Sequence, residues 1–90
     1  MHSKITIKLF GSHGCSDCEE QKRILGELNY PYEFYDIDSD NEKELIEVLA
    51  YEIDEIPTIV VTKETDEKKR FFRYAGILAG HKIEKFIEKI

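Results

Sequence analysis

The sequence predicts an α/β fold, β-α-β-α-β-β-α, with a four-stranded mixed sheet flanked by helices. Three observations predict it. A strand, a glycine-bearing break and a helical apolar stripe follow one another over residues 4–28. A β-branched run after Pro57 is answered by an aromatic run that reads as its hairpin partner. An amphipathic helix closes the chain.

Taken in order, Ile5, Ile7 and Leu9 alternate with Thr6 and Lys8, which predicts a strand over residues 4–10. The stretch from Gly11 to Gly14 breaks it. From Cys15 the pattern becomes helical, with Cys18, Gln21, Leu25 and Leu28 on one stripe and Ile24 beside it. Asn29 and Pro31 end that helix. Residues 32–37 form the second expected strand. Ser39-Asp40-Asn41-Glu42 has the S-x-x-E form of a capping box, in which each side chain satisfies an orphan amide donor at a helix start. Leu45, Ile46, Leu49 and Ile53 then make a second helical stripe. Pro57 precedes the strand Thr58–Val61, the polar run Lys63–Lys69 bounds it, and residues 70–74 return. Ile83, Phe86, Ile87 and Ile90 share one face of the last helix. The first β-α-β unit should pair its strands in parallel through a right-handed crossover, and the later hairpin should be antiparallel. Helices are then needed on the sheet faces to bury the apolar stripes.

Ninety residues suit a single domain, 1–90, with 41% hydrophobic and 36% charged residues. The net charge of −6 argues against nucleic acid, whose phosphates require a basic face, and against an anionic membrane surface. It mildly favours basic partners. Residues 1–10 hold no continuous apolar stretch of the kind a secretory signal needs, and two cysteines are too few for a secreted disulfide scaffold. The expected compartment is the cytoplasm.

Cys15 and Cys18 are the only cysteines, spaced C-x-x-C where the first strand gives way to the first helix. A helix N-terminus presents free N–H groups and a partial positive charge, both of which favour a thiolate. Such sites lower a thiol pKa from about 8.5 into the range of roughly 3.5–7.5. Cys15 is therefore the expected nucleophile. Cys18, one turn further in, is placed to attack a mixed disulfide on Cys15. A structural disulfide would close too small a loop to remove much chain entropy. A zinc site needs about four ligands, and Cys15, Cys18 and His13 supply three, with His2 or His81 as extras. Two inert buried cysteines are the remaining alternative. The strand-to-helix junction favours dithiol–disulfide exchange over all three.

Three segments carry a family likeness that spans nearly the whole chain. "KITIKLFGSHGCSDCEEQKRIL" resembles the active-site half of small thioredoxin-like and glutaredoxin-like proteins, "IDEIPTIVV" the thioredoxin segment around its cis-proline, and "YAGILAGHKIEKFI" the thioredoxin ending. The chain thus resembles the thioredoxin and glutaredoxin superfamily in its short form. The resemblance implies a thioredoxin-like fold and a protein-disulfide reductase or electron carrier. Cys15 would attack and Cys18 resolve, with Pro57 a cis-proline facing them. Ile56 would offer its backbone to an extended substrate, and Gly14, Ser16, Asp17 and Gly76 would complete the substrate surface. It implies no metal and no bound cofactor. The partners implied are disulfide-containing proteins and an electron donor, with the chain acting as a monomer. Gly14 stands where thioredoxins carry a tryptophan, Leu9 where they carry a buried aspartate, and Ser12 where glutaredoxins often carry a lysine. "AGILAGH" lacks the clear paired glycines and aspartate that greet glutathione. These departures point to a reductase flavoenzyme, ahead of glutathione, as donor. The alternative function is a non-catalytic binding or metal-handling module on the same fold.

Asp17, Glu19 and Glu20 crowd the first helical turn. They suit the helix dipole, and they should also raise the Cys15 pKa relative to a neutral C-x-x-C, which favours a reducing protein. Asp36, Asp38, Asp40 and Glu47 match positions 1, 3, 5 and 12 of a calcium loop. Asn41 replaces its turn glycine, so a strand end plus a helix cap explains the run better. His13 reads as a solvated loop histidine that could assist the thiolate if protonated.

Overall fold

The computed structural model describes residues 3–89. His2 and Ile90, named above as a possible ligand and as part of the closing stripe, lie outside the described residues. The elements are β1 (Ser3–Gly11), α1 (Ser16–Glu27), β2 (Glu33–Asp36), α2 (Glu42–Ala50), β3 (Thr58–Thr65), β4 (Lys69–Ala75) and α3 (Gly80–Lys89). This is the expected β-α-β-α-β-β-α order. The sheet runs β2-β1-β3-β4, with β1 parallel to β2 and antiparallel to β3, and β3 antiparallel to β4. It is a thioredoxin-like fold.

Alternation along the strands decides which residues meet which helix. Ile7 and Leu9 of β1 share a face with Ile59 and Val61 of β3. With Leu25 of α1, Ile83 of α3 and Leu78 they form the main core. Phe72 of β4 joins that side by packing on Phe86 of α3, ring centroids 4.3 Å apart. The opposite face is more polar. Phe10 stacks on Tyr35 at 5.1 Å, and Lys8 reaches the Glu47 carboxylate of α2 at 2.9 Å. Burial works against the Lys8 ammonium, but the hydrogen bond to Glu47 and the charge around it outweigh that and hold its pKa above the ordinary lysine value.

Three expectations need correction. The strand read as Thr58–Val61 continues to Thr65, because its outer rungs pair with both β1 and β4. Backbone ladder bonds, with no apolar burial, carry it through Lys63 and Glu64. The α2 N-cap is Asn41, whose side chain accepts from Lys43 N at 2.9 Å, while Ser39 Oγ accepts from Asn41 N in the turn before. Asparagine caps as well as serine, so the helix starts two residues later than the S-x-x-E spacing implies.

The α2 stripe departs furthest from expectation. It is not buried: Leu45, Ile46 and Leu49 are 39%, 61% and 75% exposed. The sheet face under α2 presents Lys8, and Glu47 turns inward to meet it. A buried lysine without its carboxylate would cost more than three exposed apolar side chains. That pairing sets the helix rotation and leaves the apolar stripe facing outward. Among the described residues no helix is long and apolar enough to cross a membrane.

Candidate functional site

The ends of four strands meet at one edge of the sheet. Gly11 and Asp36 are register partners at the ends of β1 and β2, Thr58 opens β3 opposite Phe10, and Ala75 ends β4 opposite Thr58. The β1–α1 turn, the Ile56–Pro57 pair and Gly76 therefore share this edge. Cys15, Cys18, Gly14, Ser16, Asp17, Ile56, Pro57 and Gly76 are all brought to it.

Cys15 is the N-cap of α1. Its backbone is extended, at φ −89° and ψ 108°, and its sulfur accepts a hydrogen bond from Cys18 N at 3.1 Å. The two sulfurs are bonded, with the Cα atoms 5.2 Å apart. Cys15 is partly exposed, whereas Cys18 is fully buried. In the dithiol form the same amide stands ready to donate to a Cys15 thiolate, which adds a local hydrogen bond to the field of the helix end. The two sulfurs thus differ in their access to solvent.

What buries Cys18 is the β1 backbone. A Cβ placed on Gly11 would lie 2.7 Å from Cys18 Sγ and 3.2 Å from the Phe34 ring. Any side chain there displaces the buried sulfur. Gly11 thus belongs to the site, although the sequence marks it only as part of a break. We expect Gly11→Ala to lose about 1–3 kcal/mol through overpacking and to slow resolution by Cys18. Calorimetry and the lifetime of a mixed disulfide on Cys15 check this; a variant with wild-type melting and wild-type lifetime would contradict it.

Ile56–Pro57 is a cis bond, which is what the family resemblance implies, and Pro57 is buried. Thr58 Oγ1 braces the turn by donating to Glu55 O at 2.6 Å. Gly76, at φ +97°, donates its N–H to Pro57 O at 2.7 Å. A side chain rarely adopts that φ, so glycine is what lets the chain leaving β4 bend against Pro57.

Gln21 is the second residue whose role goes unread in the sequence. It lies on the buried stripe of α1 and is fully buried. Its Nε2 donates to Leu78 O at 3.1 Å, and its Oε1 accepts from Leu78 N at 2.6 Å. One amide thereby satisfies both backbone groups of Leu78 and ties the Gly76–Ala79 segment to the helix that carries the cysteines. A glutamine inside an otherwise apolar stripe was the available signal, since a buried amide requires partners.

The acidic first turn is partly neutralised. Glu19 receives Lys22, and Glu20 is held by both arms of Arg23, which keeps its carboxyl below the usual range. Asp17 is exposed and has no basic partner among the described residues. Asp17→Asn should therefore lower the Cys15 pKa and make the couple more oxidising, by on the order of 10 mV. Thiolate absorbance against pH, with a redox titration, checks it; an unchanged or raised pKa would contradict it. His13 is exposed, with Nε2 3.5 Å from Asp36 Oδ2. The acidic run does not converge on one point: Asp36 accepts from Asp38 N, and Glu47 is taken by Lys8. Among the described residues no group of three or more His, Cys, Asp or Glu side chains is placed to hold a metal ion.

Comparison with known proteins agrees with this geometry. Residues 7–65 match the family model for glutaredoxin. No curated protein sequence matches the chain. Among solved structures, a thioredoxin of Trichomonas vaginalis superposes with a TM-score of 0.70 at 20% identity, covering 94% of this chain and 78% of that one. A thioredoxin of Thermus thermophilus gives 0.69 at 14%, covering 96% and 72%. A thioredoxin of Plasmodium falciparum gives 0.65 at 22%, covering 99% and 73%.

Proposed function

The chain belongs to the glutaredoxin family, and from that premise we propose that it reduces protein disulfides through the Cys15–Cys18 pair. Family, fold and a C-x-x-C pair support thiol–disulfide oxidoreductase chemistry. The observation that carries the finer reading is the unequal exposure of two bonded sulfurs at the head of α1.

In the reduced protein the Cys15 thiolate attacks one sulfur of a substrate disulfide. A bond forms between Cys15 Sγ and that sulfur, and the other substrate sulfur leaves as a thiolate and takes a proton from water. Cys18, deprotonated in turn, attacks Cys15 Sγ. The Cys15–Cys18 disulfide forms and the second substrate thiol is released. Two electrons pass from the protein dithiol to the substrate, and an external donor returns them. Because the second thiol is held one helical turn away, resolution is effectively unimolecular. Ile56 and Gly76, on either side of Pro57, are the backbone available to an extended substrate segment at this edge.

The donor we propose is a flavoenzyme reductase. Ser12, three residues before Cys15, offers no cation to a glutathione carboxylate. Reduction of insulin disulfides, driven either by NADPH with thioredoxin reductase or by glutathione with glutathione reductase, tests both parts. Turnover in the first system supports the full reading. Turnover only in the second overturns the choice of donor, and an intact dithiol without turnover in either overturns the reductase reading.

A further inference from the structure

None of the residues placed at the cysteine edge lies on α2. α1 carries the cysteines against the Ile7–Leu9 face of the sheet, whereas α2 covers the opposite face, where Lys8 meets Glu47. Leu45, Ile46 and Leu49, spaced i, i+1 and i+4, form a contiguous apolar strip on the solvent side of α2. A contiguous exposed apolar strip is a feature that interaction sites share.

Charge defines what can cover it. Between Glu33 and Glu55 lie ten of the chain's 19 acidic residues and one of its 13 basic ones, Lys43, so this quarter of the chain carries −9 where the whole carries −6. Two of those acids brace the strip: exposed Glu42 in the first turn and exposed Glu52 just past the last. Neither carboxylate has a basic partner among the described residues. Arg73 comes near, but its guanidinium donates to the carbonyls of Tyr51 and Glu52. Glu42 opens α2 and Glu52, at φ +52°, lies two residues past its last residue, so the acids stand at opposite ends of the strip.

We propose that the outer face of α2 is a docking surface for a basic amphipathic helix of another protein. That helix carries an apolar i, i+3, i+4, i+7 stripe flanked by Lys or Arg towards its two ends. A second copy of this chain does not fit, because pairing the strip with itself brings Glu42 and Glu52 against the same acids of its twin. An anionic membrane is repelled for the same reason.

The probe is a synthetic amphipathic helix of about 18 residues, five turns, with a leucine stripe flanked by lysines. Two controls replace the lysines by glutamate or the leucines by serine. Amide chemical shifts of the intact protein are followed during titration, with sedimentation of the protein alone alongside. We expect shifts confined to residues 42–52, no binding of either control, and at least about tenfold weaker binding after Leu49→Ser, equivalent to about 1.4 kcal/mol. Added salt should weaken it too. Ile46→Ser serves as a second variant should Leu49→Ser melt early. Alkylation of Cys15 should be unchanged in both. Shifts spread over the surface or centred on the Cys15 loop would overturn the proposal, as would binding indifferent to both serine variants, or self-association of the free protein abolished by them.

Discussion

A Cys18→Ser variant is expected to accumulate a stable mixed disulfide through Cys15 when given a disulfide substrate, while Cys15→Ser loses exchange altogether. The reason lies in what each sulfur touches. Cys15 is partly exposed at the N-cap and has a backbone amide aimed at its sulfur. Cys18 is fully buried with its sulfur packed against Gly11. A serine hydroxyl stays protonated under conditions where a cysteine near a helix N-terminus ionises, so Cys15→Ser should fall to the uncatalysed rate. Cys18→Ser keeps the first step and loses the second, which removes turnover while leaving attack intact. Mass spectrometry of each variant after incubation with substrate distinguishes the two. Adducts that persist on Cys18 in the Cys15→Ser protein would reverse the assignment.

Replacing Gln21 by methionine should destabilise the protein more than Gly11→Ala does. Methionine has nearly the same length, so no cavity is created. The change removes the two hydrogen bonds that satisfy Leu78 N–H and C=O inside the core. Each buried group left without a partner costs about 1–3 kcal/mol, so the pair costs about 2–6 kcal/mol. That is a large share of the roughly 5–15 kcal/mol of a typical domain. For a chain of this length each 1 kcal/mol lowers Tm by about 4–8 °C. The Gly76–Ala79 segment should also loosen, raising KM for a protein disulfide with less effect on Cys15 alkylation. A methionine variant that melts with the wild type would show that Leu78 finds other partners.

Much of the fold is legible in the sequence. The order of elements follows from period-two and helical patterns separated by Gly11–Gly14, Pro31 and Pro57, because each break falls where backbone geometry demands one. The placement of the two cysteines at the head of a helix is legible because it is a local feature. What stays hidden depends on tertiary pairing. The stripe of α2 has the same periodicity whether it faces in or out. The contact between Lys8 and Glu47, 39 residues apart, together with the packing of Tyr51 on Phe10, goes with its direction. Gln21 stands among core positions, yet its partners are the backbone of a loop 57 residues away. Gly11 looks like turn punctuation until the helix folds back and sets Cys18 against it. The length of β3 escapes for a similar reason, since its outer rungs are held by neighbouring strands and carry no hydrophobic signal of their own.

The unequal roles of the two thiols are tested most directly by timed alkylation of the fully reduced wild-type protein near pH 7, with the modified cysteine identified by peptide mass spectrometry. Label should appear on Cys15 first, at least about tenfold faster than on Cys18, in keeping with a thiolate favoured at the helix N-terminus and a partner sulfur that is fully buried. Equal rates, or faster labelling of Cys18, would contradict these roles.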